Sequence, residues 1–255
     1  MQSTGALTKS RDHVEVEAKL RFDIFSLFPD MFVGPFAESI IRKAIEAGHV
    51  RIQIHDLRDW AHDRHRTVDD RPYGGGAGMV MMAPPIVEAV ESVLGADMDV
   101  TRILVMSPGG VRFHQHIALE MAQHRRIAIV CGHYEGIDQR AINILEAEEV
   151  SIGNYVLTGG ELPAMVILDS ITRLIPGVIN PNSIAEESNV HAAVEHAQYT
   201  RPVSFRGLDV PEVLISGHHG QIAEWRKSSS HDREALRDQA EQKTNSLRPD
   251  ESTSL

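Results

Sequence analysis

The chain has 255 residues, 42% of them hydrophobic, and a single cysteine, which supports one sizeable core or two modest ones and excludes general disorder, an internal disulfide and a multi-cysteine zinc site. A formal net charge of -11 at pH 7 argues against a protein that coats nucleic acid by charge alone, so any RNA binding must come from local basic patches. No run of about 18 apolar residues occurs, and Met1 to Leu20 carries charges where a signal peptide needs an apolar stretch, so a soluble, cytoplasmic protein without a membrane partner is expected.

Residues 1–20 are polar and lack a periodic apolar pattern, and read as a flexible N-terminal extension. The composition then shifts. Phe22 to Phe28 reads as a buried strand closed by Pro29-Asp30, Met31 to Ala47 has the apolar spacing of a helix that stops at Gly48, and Val50 to His55 reads as a second strand. Asp63 to Gly78 is too polar and glycine-rich for a core element and reads as a functional loop. Ala83 to Leu94 is a proline-started helix. Arg102 to Met106 and Arg126 to Cys131 are short continuous apolar runs, suited to parallel strands covered on both faces.

Each run is followed by a glycine-containing loop, Ser107-Pro108-Gly109-Gly110 and Gly132-His133-Tyr134-Glu135-Gly136. A third such segment spans Ser151 to Gly160. Three loops of this kind converge readily at one sheet edge, where α/β folds place ligands. Glu161 to Leu174 has helical spacing and ends before Pro176-Gly177. The organisation expected is a domain over 21–179, a polar linker over 180–198 and a second small domain over 199–255, with apolar positions at Phe205, Leu208, Val213, Leu214, Ile215 and Ile222 and a polar tail.

The chemistry-bearing motifs are weighed against plainer readings. Gly74-Gly75-Gly76-Ala77-Gly78 lacks the preceding apolar strand of a dinucleotide site. His62 and His65 without a third ligand are weak evidence for metal, and Arg64 and Arg66 beside a glycine-rich loop suit phosphate contact better, although a solvated loop with paired charges explains them equally well. Cys131, inside an apolar run, reads as packing. The three strand-end loops together offer backbone donors, acceptors and close approach, which is the makeup of a small-molecule site.

Three long segments carry a resemblance to a known family: His62 to Gly76 (HDRHRTVDDRPYGGG), Cys131 to Asp138 (CGHYEGID) and Ser151 to Pro163 (SIGNYVLTGGELP). Tyr199 to Pro202 (YTRP) and Leu208 to Gly217 (LDVPEVLISG) extend it. From about residue 21 to 226, in order, the chain resembles the bacterial tRNA (guanine-N1)-methyltransferase (TrmD) family of SPOUT methyltransferases. The resemblance implies an α/β fold with a parallel sheet and a deep trefoil knot, one of the rare exceptions to unknotted topology. It also implies a small, mainly helical C-terminal domain that grips the anticodon branch of tRNA, an obligate homodimer, and S-adenosylmethionine as methyl donor, with Mg2+ admitted as a second cofactor. The donor would lie against Pro108, Gly132, Tyr134, Glu135, Ile152, Gly153, Asn154, Tyr155, Val156, Leu157, Gly159 and Gly160.

The implied reaction is methyl transfer to N1 of the guanosine at position 37, 3′ to the anticodon. N1 of guanine bears a proton at neutral pH, so the reaction asks for a base and for a cation near O6. The resemblance assigns these roles to Glu187, with Glu186 as neighbour, and to Arg173. Their plainer readings are a solvated linker carboxylate and a helix-end charge. The chain departs from the family at Asn154 and Glu187, both aspartate in the pattern, at Asn189, which is phenylalanine, and after Trp225-Arg226, where a basic segment is missing. Two other readings follow from those departures: a SPOUT-fold RNA-binding protein with weak or lost catalysis, or a SPOUT methyltransferase acting on another RNA.

Overall fold

A computed structural model describes residues 18–180 and 194–246, which divide into two compact units at Ile179/Asn180. The first unit is built on a five-stranded parallel sheet. In chain order its elements are β1 (Leu20–Ser26), α1 (Val33–Phe36), α2 (Ser39–Glu46), β2 (Val50–Asp56), β3 (Asp69–Asp70), β4 (Val80–Met81), α3 (Ala83–Leu94), β5 (Arg102–Arg112), α4 (Gln115–Met121), β6 (Arg126–Cys131), α5 (Gln139–Ile144), β7 (Glu148–Ser151) and α6 (Glu161–Thr172). The sheet order is β2-β1-β6-β5-β7, with β3 and β4 forming a separate two-stranded ribbon.

Alternation along the strands separates two cores. Phe22, Ile24, Leu104, Met106, Ile127, Ile129 and Cys131 pack against Ile41, Ala118, Met121, Ala164, Ile167 and Ile171 on one face. Phe25, Ile103, Val105, Ala128 and Val130 pack against Ile86, Ala89, Val90, Leu94 and Ala141 on the other. Every residue of β6 is buried, which is why its sequence runs apolar without a polar face. The mixed α/β class with a parallel sheet, expected from the short apolar runs, is what the chain forms.

Two expectations are corrected. The helix read over Met31 to Ala47 is a short 3-10 turn, Pro29–Phe32, followed by α1 and α2, because the chain leaves helical geometry at Ala37 and Glu38 after Gly34-Pro35. Ser107 to Gly110 is not a free loop: β5 continues to Arg112, with its register on β7 shifting between Met106 and Val111. Glycine permits this, since a Cβ on Gly110 would lie 2.4 Å from the Glu149 carbonyl carbon and the Val150 nitrogen.

In the second unit Phe205, Leu208 and Ile215 are exposed and Val213, Leu214 and Ile222 half-buried, so among the described residues these positions form no closed core. The unit has a hairpin, Ser204–Phe205 with Leu208–Asp209, whose two-residue turn places both Arg206 and Gly207 at positive φ. A short helix, Glu212–Ile215, and a 28-residue helix, His219–Ser246, follow. Trp225 on the long helix meets Tyr199 and His196 edge-on, and Ser229 Oγ accepts from the Ala197 N–H. The polar tail read beyond Arg226 is thus helical to Ser246, with Arg237 set near Glu234 and Glu241 along one face.

Candidate functional site

The bulged second half of β5 and the loops that follow β6 and β7 meet at the carboxyl edge of the sheet and enclose a cleft of about 330 Å³. Of the expected donor-binding residues, Pro108, Gly132, Tyr134, Glu135, Ile152, Gly153, Tyr155, Val156, Leu157, Gly159 and Gly160 line it; Asn154 does not. The Asn154 side chain turns to Arg112 and accepts a hydrogen bond from its guanidinium.

Glycine is required where backbones touch. The Gly160 N–H donates to the Gly132 carbonyl at 2.8 Å, fastening the start of α6 to the end of β6. A Cβ on Gly160 would lie 2.7 Å from Cys131 Cα and 2.8 Å from the Gly132 nitrogen, neither of which can give. A Cβ on Gly159 would instead meet the Glu161 carboxylate at 2.4 Å and the His133 ring at 2.8 Å, both side-chain ends that can turn. Gly160→Ala is therefore expected to lower stability by about 1–3 kcal/mol and Gly159→Ala by less, read as thermal midpoints. Equal midpoints for the two variants would show that the Gly132–Gly160 contact yields.

The loop after β6 is held from outside the cleft. The Glu135 N–H donates to the Met79 carbonyl at 3.0 Å and the Met81 N–H to the Gly136 carbonyl at 2.9 Å, so the glycine-rich segment before β4 braces the loop after β6. Tyr134 is held at a φ of 58°, an uncommon conformation for an aromatic residue. Within the β7 loop, Ser151 Oγ donates to the Gly153 carbonyl at 3.0 Å.

Under Gly159 and Gly160 lies a polar cluster that the sequence reading passed over. Glu161, the first residue of α6, is only 1% exposed, and its Oε1 accepts a hydrogen bond from Ser26 Oγ at 2.7 Å. His133 Nδ1 is buried without a hydrogen-bond partner, and Phe28 lies edge-on to its ring. Burial pushes the neighbouring Cys131 thiol well above its ordinary value, and the Glu161 carboxylate adds to the rise, so Cys131 is a packing residue as expected. The available signal was a carboxylate directly after Gly-Gly at the head of an apolar helix, where a charge normally points to water.

Arg173 is half-buried at the C-cap of α6, whose N-cap is Gly160. Thirteen residues of helix rise put it about 20 Å from the cleft floor, farther than its side chain reaches. Glu187, Glu186 and Asn189 lie outside the described residues. The basic loop is ordered by Asp63, whose carboxylate accepts from the Thr67 N–H and hydroxyl and the His65 N–H; those bonds lower its pKa. His62 pairs with Glu88 at 2.6 Å and Arg66 with Asp59, while Arg64 enters no ion pair with any described residue. No group of three or more His, Cys, Asp or Glu side chains is placed to hold a metal among the described residues, and no described helix is long and apolar enough to cross a membrane.

A family described as tRNA (Guanine-1)-methyltransferase TrmD matches residues 20–244. The chain is 58% identical over 218 residues to a tRNA (guanine-N(1)-)-methyltransferase of Thermomicrobium roseum, covering 86% of this chain and 81% of the relative. A protein of the same name from Chloroflexus aggregans is 55% identical, covering 82% of each chain, and one from Geobacter sulfurreducens is 50% identical, covering 83% of this chain and 86% of the relative.

Proposed function

The chain belongs to the tRNA (guanine-1)-methyltransferase TrmD family, and from that premise we propose that it transfers a methyl group from S-adenosylmethionine to N1 of guanosine 37, 3′ to the anticodon of tRNA. Its activity is that of a tRNA (guanine-N1)-methyltransferase; neither a catalytically silent RNA-binding role nor another RNA substrate is favoured. The observation that carries the reading is the cleft itself. Eleven of the twelve expected donor-contacting residues line one cavity of about 330 Å³, the size of a small-molecule site. The close approach at Gly132 and Gly160 fastens two of the lining loops together and keeps side chains out of that part of the cleft.

S-adenosylmethionine supplies an electrophilic methyl group on its sulfonium. With that donor in the cleft, Glu187 would take the N1 proton and Arg173 would stabilise the negative charge that spreads onto O6, readying N1 to accept the methyl group. The separation of Arg173 from the cleft floor of its own chain supports a homodimer in which one chain's arginine serves its partner's cleft. The exposed apolar residues Met31, Val33, Ile40, Leu162 and Val166, on elements that pack together, support the same assembly. The loops after β5, β6 and β7 would form the trefoil knot of the family, and the second unit would bind the anticodon branch.

The test is transfer from tritiated S-adenosylmethionine to tRNA transcripts with guanosine or adenosine 3′ to the anticodon. Label is expected on the guanosine transcript alone, from a species sedimenting at about twice the 28.3 kDa chain mass. Labelling of both transcripts, or activity from a monomer, would overturn the reading.

A further inference from the structure

Glu161 presents an unpaired charge in a buried place. Its carboxylate is 1% exposed, has one neutral donor, Ser26 Oγ, and pairs with no lysine, arginine or histidine among the described residues. The N-terminus of α6 offsets roughly half a charge. A carboxylate so placed costs stability unless a cation completes it. Its Oε2 lies beside the backbone of Gly159, next to the His133 ring, and Gly159 with Gly160 lines the cleft. Two carboxylates line the cleft itself: Glu135 is exposed to water, which screens it, and Glu149 is half-buried, whereas Glu161 lies fully buried behind Gly159.

We propose that Glu161 is the fixed counter-charge of the cleft, a specificity-determining residue that favours the sulfonium cation of the methyl donor over the neutral thioether left after transfer. The inference rests on the reading of the cleft as the donor site. It acts through the floor formed by Gly159 and Gly160, without touching the ligand, so glycine is needed there twice over: for close packing, and to keep a side chain from separating charge and ligand. Ser26 positions the carboxylate, and its Oγ also accepts from the Phe28 N–H at 2.8 Å, which fixes the end of β1 beneath the same loop. Once methyl transfer has neutralised the sulfur, the attraction is lost and product release is favoured.

Calorimetry on the full chain tests this with two ligands of nearly one shape, S-adenosylmethionine and S-adenosylhomocysteine. Glu161→Gln keeps the shape and the acceptor for Ser26; it is expected to weaken the sulfonium ligand about ten- to fiftyfold and the thioether by less than about twofold. Ser26→Ala, which keeps the charge, is expected to leave the ratio of the two affinities unchanged. Equal weakening of both ligands by Glu161→Gln would reduce Glu161 to a packing role and overturn the proposal, as would no change in either. A wild-type chain that binds neither ligand would remove the donor site itself. Should Glu161→Gln fail to fold, the wild-type chain is titrated with the analogue carrying a tertiary amine in place of the sulfonium. Proton uptake on binding, read from the buffer dependence of the heat, is expected; none would overturn the proposal.

Discussion

Replacing Asp23 by leucine is expected to lower the stability of the first unit by about 3–5 kcal/mol, because it leaves a buried arginine without its one fully buried counter-charge. Asp23 lies in the middle of the sheet on β1 and is fully buried. Its carboxylate accepts from Arg126 Nε at 2.8 Å, Arg21 at 3.0 Å and His55 Nε2 at 2.9 Å. Arg126 in turn reaches Asp97 at 2.6 Å and the Val93 carbonyl at 3.0 Å, joining β6 to the end of α3. Because Arg126 keeps these contacts in the variant, the loss belongs toward the lower end of the range. Thermal unfolding at neutral pH reads it, and a change under about 1 kcal/mol would show that the network contributes little.

The same network sets a pH dependence. Burial pushes the Asp23 carboxyl up, but hydrogen bonds from His55, Arg21 and Arg126 outweigh it and hold the group below its ordinary value. A depressed folded-state pKa contributes stability that is fully present above the unfolded value, about 3.9, and is lost as pH falls through the folded one. The stability gap between the wild-type chain and Asp23→Leu is therefore expected to be widest near neutrality and to close in acid. A gap that widens in acid would contradict this assignment.

How much of this could be read from the residues depends on what each residue answers to. The runs RILVM and RIAIVC declare parallel strands because both faces are covered, and α3 was bounded correctly because Pro84-Pro85 opens it and Gly95 ends it. The cleft was legible through its glycines, which answer to local backbone contact. What stayed hidden depends on distant partners. The bulged continuation of β5 exists because Gly110 packs on Glu149 and Val150, and nothing in SPGG announces that pairing. Nothing near Asp23 or Glu161 in the chain announces their buried partners, because Arg126 and Ser26 lie more than a hundred positions away. The apolar positions Phe205 and Leu208 mark the second domain without declaring that they are exposed, because apolar patterning cannot tell a core from a surface meant for a partner.

The largest effect on chemistry is expected at Glu187. The N1 proton must leave before the methyl group can bond, and general-base catalysis is typically worth about 10²–10⁴ in rate, so Glu187→Gln is expected to slow single-turnover methyl transfer by that factor. Affinity for S-adenosylmethionine is expected to stay unchanged, since the proton that Glu187 would take belongs to the tRNA base and not to the donor. Glutamate carries one methylene more than the aspartate of the family pattern, and a misplacement of about 1 Å can cost about 10². If the surrounding chain is adjusted to the longer side chain, Glu187→Asp does not raise the rate; if it is not, the shorter acid does. Arg173→Ala should reduce the same step without altering donor affinity, because the charge it meets exists only as the proton departs. Unchanged single-turnover methylation by Glu187→Gln across neutral pH would send the proton elsewhere, with Glu186 the next carboxylate to replace.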